Sequence, residues 1–597
     1  MKSIYGFTNL EIARLLRKVA AAYTILGENR FRVLAYESAA TAIEHATSEA
    51  KDLWDDGKLE DIPGVGKNIA DHLDELFRTG KVGHFEVVLK KMPPAMFNLL
   101  DLPGFGPKKA HKLVIELGIN DPHNAINELK KAAKQHQIAS LKNFGEKSEK
   151  DILEGIRLYE LGQVKENRMS LVFADQLAED LISYLKENAG EEILKIEKLG
   201  SLRRRVSTIG DVDLAIATRK PEEVLKIFTG YPRKKQIIER GPTGASLLIS
   251  SGRQVDLRVC SPEDWGSMLQ YFTGSKQHNI HLREWARQGG NSLSEYGIKS
   301  LKNGMIKQFS EEDIFYKYLG MEWIPPEIRE DTGEIEAALG KKLPKLVELK
   351  EIRGDLQTHS NYNVEPSHDL GADTMESMLQ VAKDLNYEYL AFSEHNPSVS
   401  NHSEEQIINI LTARLAYIEH LRKSTNSIHI LNLLEVDIDT KGILNLPKGA
   451  ELLLDGCLAS IHSNFNLGRE EMTKRVIKGL SHPLVRIFAH PTGRLLGTRE
   501  GYELDWETIF RFLLDNDKAI EINAYPNRLD LPDTLVREAI KRGVKLSLGT
   551  DAHNKEDLNL MRFGVSVARR GWSQASDIIN TWDYDKILLW LKKRVRG

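Results

Sequence analysis

The sequence predicts a multidomain chain with an α-helical N-terminal region, an α/β unit in the middle and a parallel β/α barrel after it. Three observations carry this reading. A hydrophobic-Pro-Gly-hydrophobic-Gly turn recurs between short amphipathic helices before residue 160, and from 165 to 260 apolar strand-like runs bearing aspartates alternate with helices. After residue 350, such runs end repeatedly in histidine, glutamate or aspartate. A chain of 597 residues has room for roughly three to five compact units.

Composition bounds the function classes. Two cysteines, Cys260 and Cys457, cannot build a disulfide framework, which favours a reducing compartment. No apolar run reaches the ~18 residues of a membrane span, and the start Met1-Lys2-Ser3-Ile4-Tyr5-Gly6 lacks a secretory apolar stretch. A soluble, cytoplasmic protein without a membrane partner is expected. The 82 Lys and Arg against 86 Asp and Glu give a net charge of −4, which taken whole argues against a basic nucleic-acid binder. The distribution says otherwise. Residues 198–283 hold 15 basic and 8 acidic side chains, whereas residues 351–597 hold 30 and 35.

In the first region, Leu10, Ala13, Leu16 and Ala20 share one helical face, and the turns read Ile62-Pro63-Gly64-Val65-Gly66-Lys67 and Leu102-Pro103-Gly104-Phe105-Gly106-Pro107-Lys108. A weaker third copy, Leu141-Lys142-Asn143-Phe144-Gly145, lacks the first glycine. A glycine turn opening a helix exposes unpaired backbone N–H groups that a phosphate oxygen can approach, and Lys67, Lys108 and Lys109 add attraction. A single such turn is as readily an ordinary helix connection. Repetition makes DNA-backbone binding the better reading, with Gly64, Gly66, Gly104 and Gly106 at the contacts.

The middle unit carries Gly200-Ser201-Leu202-Arg203-Arg204-Arg205, then Gly210-Asp211-Val212-Asp213-Leu214, then Val255-Asp256-Leu257-Arg258. Positions i and i+2 of a strand face one way, so Asp211 and Asp213 aim together and Asp256 on a neighbouring strand can complete the cluster. Three carboxylates on one buried face repel one another unless divalent cations neutralise them, the arrangement that two-metal phosphoryl transfer uses. Ser201 and Arg204 lie in a turn suited to triphosphate oxygens. Residues 261–320 read as helical, and 323–350, with Pro325-Pro326 and an acidic run, as a linker.

This pattern, followed by Tyr271-Phe272-Thr273-Gly274-Ser275, resembles a family X DNA polymerase of the polymerase-beta kind over residues 1–320, and the glycine turns resemble helix-hairpin-helix motifs. The resemblance implies that Asp211, Asp213 and Asp256 bind two catalytic Mg²⁺ ions. It also implies that Ser201, Arg204 and Arg168 hold the triphosphate, and that Tyr271, Phe272 and Gly274 pack against the sugar. Asn279 and Arg283 fall where the family contacts the nascent base pair and template, and a monovalent cation is implied at the helix-hairpin-helix turns. One departure stands out: His72 occupies the position of the lysine that attacks an abasic sugar in lyase members, and a histidine cannot form that imine.

After the linker come Gln357-Thr358-His359-Ser360, Ser393-Glu394-His395, Glu435-Val436-Asp437, Ile461-His462, Ala489-His490 and Thr550-Asp551-Ala552-His553. Imidazoles and carboxylates at successive strand ends suit two or three clustered Mn²⁺ or Zn²⁺ ions. Their order and spacing resemble the PHP (polymerase and histidinol phosphatase) domain, a distorted β/α barrel. The resemblance implies His359, His395, Glu435, His462, His490, Asp551 and His553 as ligands. Two departures follow. Gln357 stands where the general pattern has histidine, and loop 361–371 replaces Ser-Asp-Gly, so the usual aspartate ligand is displaced or lost, with Asp369 or His368 as stand-ins.

The expected domains are therefore an 8-kDa-like DNA-binding domain (1–80), helix-hairpin-helix fingers (81–160), an α/β nucleotidyltransferase palm (161–260), a thumb (261–322), the linker (323–350) and a PHP domain (351–597). The implied activity is short-gap filling in base excision repair by a monomer acting on gapped or nicked duplex DNA and dNTPs. A metal-dependent 3′-5′ exonuclease is implied with it, and AP-endonuclease or 3′-phosphoesterase activity could accompany it. The alternatives are a PHP unit serving as a structural clamp or phosphatase, and a non-catalytic DNA-end scaffold.

Overall fold

The computed structural model describes residues 7, 9–44, 50, 54, 57, 59–62, 65–100, 102, 105–122, 124–142, 144–150, 152–153, 156, 168–250, 252–425 and 427–593. Two units, residues 1–162 and 163–597, have separate cores.

The first unit is helical. Asn9–Leu26 and Arg30–Glu44 bury Ile12, Leu16, Tyr23 and Tyr36 in one core with Leu73, Leu76 and Phe77 of Lys67–Thr79. The repeated turns share one backbone device: Val65 N–H donates to Ile62 O at 3.0 Å, Phe105 to Leu102 O at 3.1 Å and Phe144 to Leu141 O at 2.9 Å. Gly66 and Gly106 then cap the helices Lys67–Thr79 and Pro107–Leu117 in extended conformation. The degenerate third copy thus keeps the geometry of the other two. Gly64 and Gly104 lie outside the described residues.

The second unit begins with a mixed five-stranded sheet in the spatial order Lys195–Lys198, Val212–Ala217, Gln254–Cys260, Gly244–Ile249, Lys234–Arg240. Its central pair is parallel, with Asp213 beside Asp256 and Leu214 beside Leu257. Helices Leu171–Ala189 and Pro221–Thr229 bury Leu181, Leu185, Val224 and Phe228 against it.

Residues 261–320 differ from the helical expectation. Trp265–Thr273, Lys276–Gln288 and Glu312–Tyr318 are helices, but Asn291–Ser294, Gly297–Ser300 and Ile306–Lys307 form an antiparallel three-stranded sheet. Gly289-Gly290 ends the helix, and Gly297, at φ 138°, lets the backbone lie against Lys307. The segment 323–350 is folded rather than an open spacer. It holds the short helices Pro326–Ile328 and Glu334–Leu339, fully buries Arg329 and Glu334, and shares a core with Phe315 and Trp572.

The remainder is a ring of parallel strands. Gly354–Asp355, Tyr389–Phe392 and His429–Asn432 form one sheet. Glu435–Asp437, Cys457–Ser460, Val485–Phe488, Ala519–Asn523 and Lys545–Gly549 form the other. Parallel bridges His395↔Glu435 and Thr358↔Ala552 join the sheets at both seams. The strands are buried on both faces, as a closed parallel barrel requires. Tyr584–Lys592 plugs one end with Ile587, Trp590 and Leu591.

Candidate functional site

Asp211, Asp213 and Asp256 converge, with a carboxylate oxygen from each within 4.8 Å of the others. Strand register brings two of them side by side, and Asp211 reaches the same face from just before its strand. Gln254 Nε2 donates to both Asp256 oxygens at 3.1 and 3.0 Å, fixing that carboxylate. Burial and the neighbouring carboxylates raise Asp213 well above the usual carboxylate range, and burial likewise raises Asp256. Three acids held this close form a group that could hold a divalent cation. The turn Gly200–Arg203 presses against the cluster. Gly200 sits at φ 56°, and a Cβ there would collide with Asp213 Oδ2, so only glycine brings the turn this near.

The three arginines after this turn diverge. Arg203 pairs with Glu312 at 2.9 Å, Arg205 pairs with buried Asp175, and Arg204 Nε–H donates to Glu330 at 3.0 Å while its Nη1 donates to Thr273 O. Arg168 hydrogen-bonds Thr208 and lies beside Gly210, just before Asp211, and Ser201 is half-buried in the turn. Tyr271 and Phe272 meet edge to face at 5.0 Å, with the Arg283 guanidinium 5.7 Å from the Tyr271 ring. Asn279 is buried and donates to Tyr271 O at 2.8 Å, which fixes the segment's backbone. Gly274 adjoins Arg204, whose Nη1 would lie 3.0 Å from a Cβ there. The structure therefore gathers Ser201, Arg204, Tyr271, Phe272, Gly274 and Asn279 near the aspartates.

The barrel ends hold the second site. Glu435, buried, lies 2.8 Å from His490, 3.3 Å from His359, 3.3 Å from His462 and 3.8 Å from His395. His359 also lies 3.1 Å from Asp551 and stacks 4.4 Å from His553. Burial opposes a charged His359, yet Asp551 and Glu435 outweigh it and push its pKa up to about 10. The buried His395 Nδ1, His490 Nδ1 and His553 Nε2 have no hydrogen-bond partner. Desolvated ring nitrogens left unpaired among carboxylates fit divalent cations, which need deprotonated imidazoles. Gln357, where the general pattern has histidine, donates from Nε2 to Glu435 at 2.8 Å.

The altered loop keeps a carboxylate at the cluster. Asp369 lies 3.5 Å from His395 and 3.5 Å from His553, and its hydrogen bond with His395 holds its pKa well below the usual range. Gly371 makes this route possible, because a Cβ there would strike His359 O. His368 stays at the cluster too: its ring lies 4.3 Å from His462 and 5.0 Å from His395, and His368, His462 and Asp437, the last 2.6 Å from His462 Nδ1, form a further group that could hold a metal ion. Asp437 was not among the expected ligands. Its carboxylate converges with His368 and His462, which makes it a candidate ligand in its own right. The signal was its place two residues after Glu435 on one strand.

In the helical unit, His72 Nδ1 lies 2.9 Å from the Tyr36 hydroxyl, and its ring stacks on His84 at 5.4 Å and 6°. Gly66 and Lys67 stand at the start of their helix, and Gly106 and Lys108 occupy the matching places.

Comparison with known proteins decides the family. DNA polymerase/3′-5′ exonuclease PolX of Bacillus subtilis is 34% identical over 590 residues, covering 98% of this chain and 99% of its own. The chain belongs to the PolX family of DNA polymerases. Within this family X chain, the family descriptions that match are DNA polymerase beta thumb over 268–330, helix-hairpin-helix domain over 7–82, and SAM-like helix-hairpin-helix tandem over 56–118 and 98–158. Two further relatives are more distant. DNA polymerase lambda of Arabidopsis thaliana is 24% identical over 54% of this chain and 62% of its own. A probable phosphatase of Thermoanaerobacter is 26% identical over 40% of this chain and 96% of its own. No helix among the described residues is long and apolar enough to cross a membrane.

Proposed function

We propose that this family X DNA polymerase and 3′-5′ exonuclease fills short gaps in duplex DNA with Asp211, Asp213 and Asp256 as its catalytic carboxylates, and trims 3′ ends at the barrel histidines. The observation that carries the reading is the convergence of the three aspartates beneath a glycine turn that only glycine can form.

Asp211 and Asp213 would hold two Mg²⁺ ions, which lower the pKa of the primer hydroxyl and neutralise the triphosphate when bound. Asp256, aligned by Gln254, would receive or orient the proton of the primer 3′-hydroxyl. Arg204 and Ser201 bind triphosphate oxygens with Arg168, beside Gly210, and Tyr271 and Phe272 line the sugar. Arg283 reaches the template. Gly64, Gly66, Gly104 and Gly106, with Lys67 and Lys108, would hold the DNA backbone, a monovalent cation assisting at the turns.

In the barrel, His359, His395, Glu435, His462, His490, Asp551 and His553 would hold two or three Mn²⁺ or Zn²⁺ ions, with Asp369 as a further ligand. Arg528, 3.5 Å from Asp551, balances that acidic cluster. Primer extension on one-nucleotide-gapped DNA with Asp213→Ala, and 3′-end digestion with a His359→Ala/Asp551→Ala double variant, test the two assignments separately. The phosphatase relative favours a second substrate for the barrel, DNA bearing a 3′-phosphate. Release of inorganic phosphate from such DNA checks it.

A further inference from the structure

The helix Met561–Arg570 belongs to the barrel, yet its side chains reach the polymerase turn. Arg569 donates to Glu327 at 2.7 Å and to Val347 O at 2.9 Å, and Arg562 lies 3.5 Å from Asp175. These contacts dock one element on another. Arg570 does something different. Its Nη1 donates to the backbone carbonyl of Arg204 at 2.8 Å and to Glu330 Oε1 at 3.0 Å, the same oxygen that accepts from Arg204 Nε. Its other edge is held by Asp533, at 2.8 Å from Nε and 2.6 Å from Nη2. Its side chain is 7% exposed.

Arg204 is therefore gripped at both ends, by its own carbonyl and through Glu330 at its guanidinium. Asp533 neutralises Arg570, so what Arg570 supplies is geometry: it fixes the Glu330 oxygen that accepts from Arg204 Nε. Arg204 spends two of its five N–H donors on Glu330 and Thr273 O, and three remain for an anion.

We propose that Arg570 is a positioning residue of the polymerase, supplied by the PHP barrel, which holds Arg204 ready for the incoming nucleoside triphosphate. The proposal rests on the reading of Arg204 as a triphosphate ligand, and it makes the barrel a structural part of the nucleotide site independently of its own nuclease chemistry.

The test is steady-state incorporation on one-nucleotide-gapped DNA by the full chain, comparing Arg570→Ala, Arg569→Ala, Arg204→Ala and the Arg204→Ala/Arg570→Ala double variant. Arg570→Ala should raise the dNTP KM about tenfold and lower kcat less than about threefold, the scale of a lost charge-assisted hydrogen bond. Arg569→Ala, which removes docking contacts alone, should leave the dNTP KM unchanged. In the Arg204→Ala background, replacing Arg570 should add nothing, because its effect passes through Arg204. Digestion of single-stranded 3′ ends should continue in Arg570→Ala. If that variant fails to fold, Arg570→Lys keeps the stem and one charge but loses the fork, and should raise KM about threefold.

An unchanged KM in Arg570→Ala beside a raised KM in Arg204→Ala overturns the proposal and spares the reading of Arg204. An equal rise in Arg569→Ala, or the same added factor in both backgrounds, reduces Arg570 to docking and also overturns it. If Arg204→Ala itself leaves the dNTP KM unchanged, the triphosphate reading falls and the proposal with it.

Discussion

Asp213 and Asp256 stand directly beside each other on parallel neighbouring strands, and Asp211 joins them from the preceding turn. Replacing Asp213 with alanine should lower kcat for dNTP incorporation by about 10³-fold, the scale of losing a preorganised electrostatic contact. Retention of gapped DNA in a gel-shift assay should persist, because the backbone contacts proposed at the glycine turns do not involve Asp213. Extension at the parent rate would refute the triplet as the catalytic centre.

At the barrel, His359 touches both Glu435 and Asp551. The His359→Ala/Asp551→Ala double variant should lose metal-dependent 3′-end degradation while gap filling continues. Degradation surviving in the purified double variant would place the nuclease at another site.

Asp369 reaches both His395 and His553 from a loop whose sequence departs from the family pattern. Asp369→Ala should cut exonuclease rate about 10–100-fold and reduce bound metal per chain, as loss of a metal-site partner does. His368→Ala should lower the metal content only if the group His368, Asp437 and His462 holds an ion of its own. Elemental analysis of the purified variants distinguishes the two stand-ins, and unchanged metal in Asp369→Ala would remove it from the ligand set.

Glu312 accepts from Arg203 and Arg329, and although burial opposes its charge, the two guanidiniums hold its pKa down at about 2. A depressed carboxyl contributes stability that is fully present above the ordinary value near 4.5 and is lost as pH falls through about 2. Glu312→Gln should therefore cost about 3 kcal/mol near pH 7, and the difference from the parent should shrink below pH 4.5 and vanish near pH 2. Thermal melting across this range checks it; a difference independent of pH would show that packing, not charge, dominates.

His72 is hydrogen-bonded to Tyr36 and stacked on His84, with no amine available for an imine. Borohydride should trap no covalent adduct between this chain and DNA carrying a 5′-deoxyribose phosphate. An adduct would identify a lysine nucleophile elsewhere, Lys67 being the first to replace.

Much of this was legible in the sequence because the signals are local. Alternation placed Val212–Ala217 and Gln254–Cys260 as strands, and strand-end histidines marked the barrel's chemical face. The three-stranded sheet within 291–307 was not legible, because strands of two to four residues are too short to show a period. The folded state of 323–350 was hidden for a different reason. Its prolines and acids read as solvated, but Glu334 is buried against His278, 56 positions earlier, and Arg329 against Glu312, 17 positions earlier.

The sequence by itself determined the family, the order of the chemical motifs and the residue types that gather in both clusters, since each is written as residue type at a short spacing. Only the tertiary structure decided which carboxylate of the altered loop comes to His395 and His553, and how Arg204 is held. Glu330 lies 126 positions from Arg204 and 240 from Arg570, and nothing local in the chain encodes a charge shared across such distances. Coulombic and hydrogen-bond partners depend on separation in space, which folding sets and sequence spacing does not.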